Sequence, residues 1–136
     1  MSDKEMEEIR RKKMEELLRK QNDPKRKAKE FAKAIVECDE YKNFIKFNEE
    51  LQKNQTAQNL LREFQQKQAE LQWNGFDPKT LEELRDLQMK INKNDIIQNF
   101  VNAQNELVDI LRKTNNIISG KIGTQFAFFQ GGGCCG

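Results

Sequence analysis

Residues 60–91 have the sequence LLREFQQKQAELQWNGFDPKTLEELRDLQMKI, and this stretch decides the fold. Apolar residues recur at spacings of three and four on both sides of a short break, which predicts two helices. Gly75 can end the first helix by taking the left-handed conformation at the C′ position. Asp77 followed by Pro78 is typical of an N-cap and a first helical residue. Because the connection is so short, the two helices are predicted to form an antiparallel hairpin.

Helical patterns continue upstream of this hairpin. A charged helix is predicted over residues 1–21, and a second helix over residues 24–51. Asp23 is the predicted N-cap of the second helix, with proline after it as the first helical residue. Cys38 falls on the apolar side of that helix, which favours a small buried hydrophobic side chain there.

Polar breaks delimit the remaining helices. Asn54 or Thr56 can cap the first helix of the hairpin. After the hairpin, Asp95 is the predicted N-cap of a fifth helix, which is expected to end near Ser119 and Gly120. The composition then changes, because only one charged residue follows Gly120 and three glycines stand in a row before the last cysteines.

These elements predict an all-α fold, an antiparallel helical hairpin or bundle with an extra N-terminal helix and a flexible Gly/Cys tail. The predicted segments are a charged helix (1–23), a helical domain (24–120) and a tail (121–136). Thin helical assemblies of this kind leave an apolar stripe exposed, so we expect a homodimer or a hetero-oligomer of related subunits.

The composition argues against an enzyme and against a membrane protein. The chain has no histidine, which removes His-based acid–base and nucleophilic chemistry, and no phosphate-binding loop is present. No stretch approaches the roughly 20 apolar residues of a membrane span. The charged N-terminus lacks the apolar core of a secretory signal, so a cytoplasmic protein is expected. The odd number of cysteines argues against a disulfide scaffold.

Several short pieces carry a family resemblance. They are residues 28–32 (AKEFA), 40–42 (EYK), 60–65 (LLREFQ), 71–72 (LQ) with Gly75, and 94–97 (NDII). In this order and spacing, residues 31–119 resemble the YlbF/YmcA family, bacterial regulators linked to the control of competence. The charged helix over residues 1–21 is extra to the family pattern.

The resemblance implies an all-α hairpin that associates with itself or with related YlbF/YmcA-type subunits in a non-enzymatic regulatory role. In the best-known members, related subunits form a complex that binds iron–sulfur clusters and influences a phosphorelay and RNA processing. A partner in RNA processing or signalling is therefore expected. The matching helices contribute no ligand, so a cluster in this protein would depend on the tail cysteines.

The adjacent cysteines Cys134 and Cys135 allow four interpretations. They could ligate an iron–sulfur cluster or a soft metal, and flanking glycines let the backbone approach closely. One chain has too few tail thiolates for four-cysteine ligation, so such a site would be shared between subunits. They could be redox-active thiols. Lipidation is disfavoured because the last four residues do not fit the prenylation pattern. The tail could also have no role.

Two groups of aromatic residues are candidate partner contacts. Trp73 and Phe76 flank Gly75 and either pack locally on the helix end, with Phe76 folding back, or form an exposed anchor. The run Phe126, Phe128 and Phe129 is too apolar to be left in water. It either docks on the protein's own helices or docks on a partner subunit, which would bring the cysteines to an interface.

A basic run in the first helix is the candidate nucleic-acid contact. It comprises Arg10, Arg11, Lys12 and Lys13. Glutamates at positions 7, 8, 15 and 16 interrupt the run and weaken its field, so nucleic-acid binding is not expected and a solvated helix face is the simpler interpretation. A nucleic-acid-associated helical protein and a plain structural scaffold remain the alternative functions.

Overall fold

The computed structural model describes residues 1–128 of the chain, and within them it has six α-helices and no strand. The all-α prediction is confirmed. Phe129, Cys134 and Cys135 lie outside the described residues. The helices are α1 (Asp3–Gln21), α2 (Pro24–Glu37), α3 (Asp39–Lys53), α4 (Gln55–Asn74), α5 (Pro78–Lys93) and α6 (Asp95–Ile122).

The chain divides into two compact units, Met1–Cys38 and the part from Asp39 onward, here called the N-terminal unit and the hairpin unit. In the N-terminal unit, Ser2 and Glu5 form a reciprocal capping box at the start of α1. Asp23 caps α2 by accepting a hydrogen bond from the Lys25 N–H at 3.1 Å, as predicted. Neither helix buries a side chain.

The prediction of a single helix over residues 24–51 is wrong, because the helix is interrupted at Cys38. This residue has an extended backbone (φ −74°, ψ 153°) and a half-buried side chain, so it does not belong to a helical apolar stripe. Asp39 and Glu40 begin a new helix directly after it. Their carboxylates lie at the positive end of the helix dipole, which favours a helix start at this point.

The hairpin unit consists of two antiparallel arms, α3 followed by α4 and α5 followed by α6. The Nζ atom of Lys67 lies 2.7 Å from a carboxylate oxygen of Glu83 across the α4–α5 hairpin. The rings of Phe44 and Phe100 pack at 5.6 Å between centroids across α3 and α6. The predicted antiparallel hairpin at Gly75 is confirmed.

Each arm bends once, and the two bends have matching sequences, LQKNQTAQ at 51–58 and INKNDIIQ at 91–98. The side chains of Asn54 and Asn94 accept hydrogen bonds from the third backbone N–H that follows, at 2.9 and 3.0 Å. Gln58 and Gln98 each donate to the carbonyl seven residues earlier. Asn54 is therefore the cap rather than Thr56.

The predicted N-cap at Asp95 is wrong by one residue. Asn94 holds the extended backbone of the cap, and Asp95 is the first residue of α6. An asparagine before an aspartate is a competing cap of similar strength, and the carboxylate one position later still complements the helix dipole.

The core of the hairpin unit is small and lies where the two arms bend. Leu51, Ala57, Ile91 and Ile97 form one buried cluster. The partly buried residues packed on it are Leu60, Leu61, Phe64, Ile96 and Phe100. Leu87 and Ala103 are the other buried apolar residues of the described chain. Two arms alone cannot enclose more side chains, because every helix keeps one side open to solvent.

The caps at the two bends should contribute separately to stability. We expect Asn54→Ala and Asn94→Ala each to lower the free energy of unfolding by about 1 kcal/mol, because each removes the acceptor for an otherwise unpaired helix N–H. For a domain of this size, that corresponds to a melting temperature lower by about 4–8 °C. Circular dichroism melts would measure it. Asn102→Ala, at an exposed position within α6, is the control and should not lower stability.

Helix α6 continues beyond its predicted end near Ser119 and Gly120. It ends at Ile122, and Gly123 (φ 74°) takes the left-handed conformation of the C-cap. The Gly123 N–H donates to the carbonyl of Ser119 at 3.0 Å. A lone glycine such as Gly120 weakens a helix without ending it. The predicted division into segments 1–23, 24–120 and 121–136 stays a prediction.

Candidate partner-binding site

The hairpin unit has an open groove of about 530 Å³ beside the two bends. Its floor is formed by the buried core residues Leu51, Ile91 and Ile97. Its walls are formed by Leu61, Phe64, Phe100 and Val101. The side chain of Val101 remains 36% exposed. The groove therefore opens the core of the hairpin unit to solvent.

Carboxamides form the rest of the groove. They are Gln65, Gln68, Gln88, Gln104 and Asn105, and no lining residue is charged. Carboxamides can hydrogen-bond to a partner without the desolvation cost of an ion. We call this surface the amide-rimmed groove. It suits an uncharged apolar face, and its lining has no titratable group for acid–base chemistry.

Lys67 links α4 to α5 near the amide-rimmed groove. Its ammonium group contacts Glu83 of α5 at 2.7 Å and Glu70 of its own helix at 3.2 Å. The hydrogen bonds to Glu83 and then Glu70 raise the pKa of Lys67 above its usual value. Because the folded-state pKa is raised, the stabilisation from the contacts of Lys67 with the two glutamates is present at neutral pH. It is lost only in strongly alkaline solution. A partly exposed pair of this kind contributes modestly.

The tip of the hairpin carries two exposed aromatic side chains. Trp73 is 86% exposed and Phe76 is 82% exposed, so the alternative in which they pack locally on the helix end, with Phe76 folding back, is wrong. Gly75 has φ 78° and ψ −179°, a combination that strongly favours glycine and leads the chain away from the helix end. Phe76 therefore stays at the apex, while Asp77 caps α5. The role of both aromatics as partner contacts stays a prediction.

The segment after α6 folds back on this helix through Asn115. The side chain of Asn115 accepts from the Ala127 N–H at 2.9 Å and donates to the Ala127 carbonyl at 3.0 Å. Ser119 Oγ accepts from the Phe126 N–H at 2.9 Å. Ala127 is half-buried, whereas Phe126 and Phe128 remain 60% and 82% exposed. The backbone docks on its own helix while the two phenyl rings face solvent.

Asn115 should hold this segment in place. We expect Asn115→Leu to speed hydrogen exchange at the Ala127 amide by about tenfold. Loss of the two hydrogen bonds removes about 1–1.5 kcal/mol of stabilisation, and 1.4 kcal/mol corresponds to a factor of about ten. Exchange measured by NMR would test it. Asn116→Leu, at the exposed neighbouring position, is the matched control. Unchanged exchange at Ala127 would show that the segment is held by other contacts.

The basic run lies on an exposed stretch of α1. Arg11 and Lys12 form ion pairs with Glu15 at 3.8 Å and Glu8 at 3.1 Å. Within residues 1–128, Arg10 and Lys13 have no ion-pair partner. Half of the run is therefore neutralised along the helix, and its predicted contact with phosphates stays a prediction.

The described residues do not by themselves form a metal site. Residues 1–128 have no group of three Cys, Asp or Glu side chains placed to hold a metal ion. Cys38 is a free, half-buried thiol. A cluster site would therefore depend on Cys134 and Cys135, which lie outside the described residues.

Sequence patterns missed the groove and Asn115. The groove forms because the bends of the two arms lie side by side. The repeated motif at 51–58 and 91–98 is the sequence signal that could have shown this arrangement. Nothing local distinguishes Asn115 from Asn116, because the hydrogen-bonding partner of Asn115 is twelve residues away.

Comparisons with known proteins agree with this architecture. The family model described as control of competence regulator ComK, YlbF/YmcA, matches residues 25–123. The crystal structure of Bacillus subtilis RicA in complex with RicF is similar, with a TM-score of 0.59 and 23% identity over 74% of this chain and 90% of that chain. No protein of curated function matches the sequence. Within residues 1–128, no helix combines the length and apolar character needed to cross a bilayer.

Proposed function

The chain belongs to the YlbF/YmcA family, and from that premise we propose that it is a non-enzymatic regulatory adaptor that associates with itself or with related subunits. The observation that carries the proposal is the amide-rimmed groove, an uncharged apolar surface that reaches the core of the hairpin unit. Pairing fits the likeness to RicA, whose structure is a complex with RicF. A partner in RNA processing or signalling is part of the same proposal.

The energetics of the hairpin unit support association. Only six apolar side chains of the described chain are buried, and all belong to this unit. Small domains bury a low fraction of their surface and are correspondingly marginal. A partner that covers the groove would remove Phe64, Phe100 and Val101 from water and would add roughly 25 cal/mol for each Å² of apolar area buried.

Two aromatic pairs provide further candidate contacts for such partners. Trp73 and Phe76 project from the hairpin tip, and Phe126 and Phe128 project from the segment docked on α6. Exposed aromatics at defined positions are typical anchors in interfaces. We therefore retain these four residues, together with Phe129, as partner-binding residues of the proposal.

Size-exclusion chromatography with light scattering tests this proposal. A mass that is a multiple of the 16.0 kDa chain would support self-association. A single-chain mass together with a stable complex on mixing with a related subunit would support pairing. A chain that stays single and binds no related subunit would contradict the proposed function.

We further propose that Cys134 and Cys135 supply thiolates to an iron–sulfur cluster shared between subunits. The adjacent thiols and the family resemblance support this step. With Cys38, each chain offers three thiols, whereas the common clusters use four cysteine ligands. A shared site would therefore link cluster binding to association. When bound, the cluster would supply one-electron redox chemistry.

Removal of the tail thiols should abolish cluster binding. We expect anaerobically purified protein to be brown and to contain iron and sulfide, and the double variant Cys134→Ser/Cys135→Ser to lose both, because serine is a poor cluster ligand. Visible absorption with iron and sulfide analysis would measure this. Cys38→Ser is the control and should retain the cluster. Colourless wild-type protein, alone and with related subunits, would contradict the proposal.

A further inference from the structure

We propose that residues 132–135 (Gly-Gly-Cys-Cys, here called the tail segment) occupy the amide-rimmed groove of their own chain. The tail segment lies outside the described residues. Three described features support its placement, namely the direction of the backbone after α6, the face of α6 on which that backbone lies, and the chemistry of the groove. The inference rests on the proposed function in one step, because the groove that receives the tail segment is also the one that receives a partner.

The chain reverses after α6 and runs antiparallel to this helix. Gly123 ends α6 in the left-handed conformation, and the Phe126 N–H then donates to Ser119 Oγ at 2.9 Å. Ala127, one residue further along the chain, is bonded to Asn115, four residues earlier in the helix. Later residues of the chain therefore meet earlier residues of α6, so the backbone heads from the end of α6 toward the bends. This backbone and the groove belong to the same compact unit.

The reversed backbone lies on the face of α6 that forms the groove. Asn115 lies eighteen residues after Ile97 of the groove floor, which is about five full turns of an α-helix. Ser119 lies eighteen residues after Val101 of the groove wall, again about five turns. One stripe at alternating spacings of four and three joins the two sites, and its members are Asn115, Leu111, Val108, Gln104, Val101 and Ile97. The chain beyond Ala127 is therefore directed along this stripe into the groove.

The tail segment has the reach to cover the α6 wall of the groove. This wall runs from Ile97 to Asn105, and Asn105 is its end nearest to Asn115. Measured along the helix from Asn115, these two ends lie about 27 Å and about 15 Å away. An extended chain advances about 3.3 Å per residue. Starting from Ala127 beside Asn115, residues 132–135 therefore come level with the wall from Asn105 down to Ile97.

The lining of the groove suits an extended backbone with small side chains. Asn115 holds such a backbone on the same face, because its carboxamide accepts from the Ala127 N–H and donates to the Ala127 carbonyl. Carboxamides that offer the same two functions rim the groove at Gln65, Gln68, Gln88, Gln104 and Asn105. Glycine lets a backbone approach such groups closely, and cysteine behaves as a small hydrophobic side chain toward an apolar floor. The tail segment also has no charged side chain, as the groove has none.

Occupation of the groove by the tail segment links association to the availability of the thiols. In the unassociated chain, Cys134 and Cys135 are covered by the groove. A partner that enters the groove, as in the proposed function, displaces the tail segment and releases both thiols. The thiols then become accessible at the interface, where a cluster shared between subunits would need them.

Disulfide formation in the full chain tests this placement. Cys38→Ser and Cys135→Ser leave Cys134 as the native thiol, and Val101→Cys adds a second thiol on the groove wall. Because an extended chain brings Cys134 level with Val101, oxidised glutathione in dilute, metal-free solution should link the two thiols within one chain. The matched control is Asn102→Cys, an exposed neighbour that the same length of chain can reach. We expect the link to form several-fold faster with Val101→Cys, after each rate is divided by that of the introduced thiol with glutathione alone.

A second pair of variants tests whether the reversed backbone delivers the tail segment. Asn115→Leu, added to the Val101→Cys chain, should lower the rate of linking to that of the Asn102→Cys control. Asn116→Leu, at the exposed neighbouring position, should leave the rate unchanged. Equal rates with Asn115→Leu and Asn116→Leu would contradict delivery along α6.

The outcomes separate this inference from the proposed function. Equal rates for Val101→Cys and Asn102→Cys would overturn the placement, and so would a preferred link that joins two chains, which intact mass and peptide mapping would reveal. If light scattering shows a multimer while the two rates are equal, self-association stands and the placement falls. If the chain stays single, binds no related subunit and still prefers the link at Val101→Cys, the placement stands and the proposed function falls.

Discussion

Replacing Ile97 by alanine is expected to lower the free energy of unfolding of the hairpin unit by about 2–5 kcal/mol. Ile97 is 2% exposed and lies in the buried cluster with Leu51, Ala57 and Ile91 at the two bends. Its truncation removes apolar contacts and leaves a cavity where both arms meet. Because a small domain has only about 5–15 kcal/mol in total, this loss should unfold a substantial fraction of the protein on mild heating.

Urea unfolding followed by circular dichroism measures this loss. Ile117→Ala is the matched control, because Ile117 lies on the same helix and is 65% exposed. It should change the free energy of unfolding by less than about 0.5 kcal/mol. Equal effects at the two positions would show that the bends do not hold the core of this unit.

Replacing Val101 by glutamate is expected to separate associated chains without unfolding them. Val101 lies on the wall of the amide-rimmed groove and is already 36% exposed, so an isolated chain can keep the new carboxylate in water. In an associated state the carboxylate would be buried against an uncharged apolar face. A buried, unpaired charge costs several kcal/mol, and each 1.4 kcal/mol is a factor of ten in affinity.

Light scattering should therefore show the variant at 16.0 kDa under conditions in which the wild type forms multimers. The circular dichroism spectrum should remain that of the wild type. Asn102→Glu adds the same charge at the adjacent exposed position and should leave association unchanged. A Val101→Glu variant that associates like the wild type would exclude the groove as the interface.

Local chemistry made much of the fold predictable from the sequence. Asp23 and Asp77, each followed by proline, cap α2 and α5 as expected, because a cap depends on hydrogen bonds within three residues. Gly75 ends α4 as expected and has a positive φ, but its ψ of −179° shows that the predicted left-handed conformation is wrong. The periodicity of the apolar residues predicted the helical class. Short sequence matches spread over the helical part of the chain indicated the family.

Predictions were wrong where local signals competed. At Cys38 the apolar pattern favoured one continuous helix, whereas the acidic residues that follow begin another. At the second bend, Asn94 and Asp95 could each have been the cap, and the asparagine is the one that has the extended backbone. Asparagine and aspartate are N-caps of nearly equal strength, so the sequence alone does not decide between them.

The sequence by itself determined the helical class, several helix ends and the α4–α5 hairpin, because these follow from interactions between near neighbours in the chain. Only the tertiary structure decided that the two bends lie side by side, that they open an uncharged groove into the core, and that Asn115 holds Ala127. Each of these depends on groups far apart in sequence, since Leu51 meets Ile97 and α4 faces α6 only after the two arms have packed.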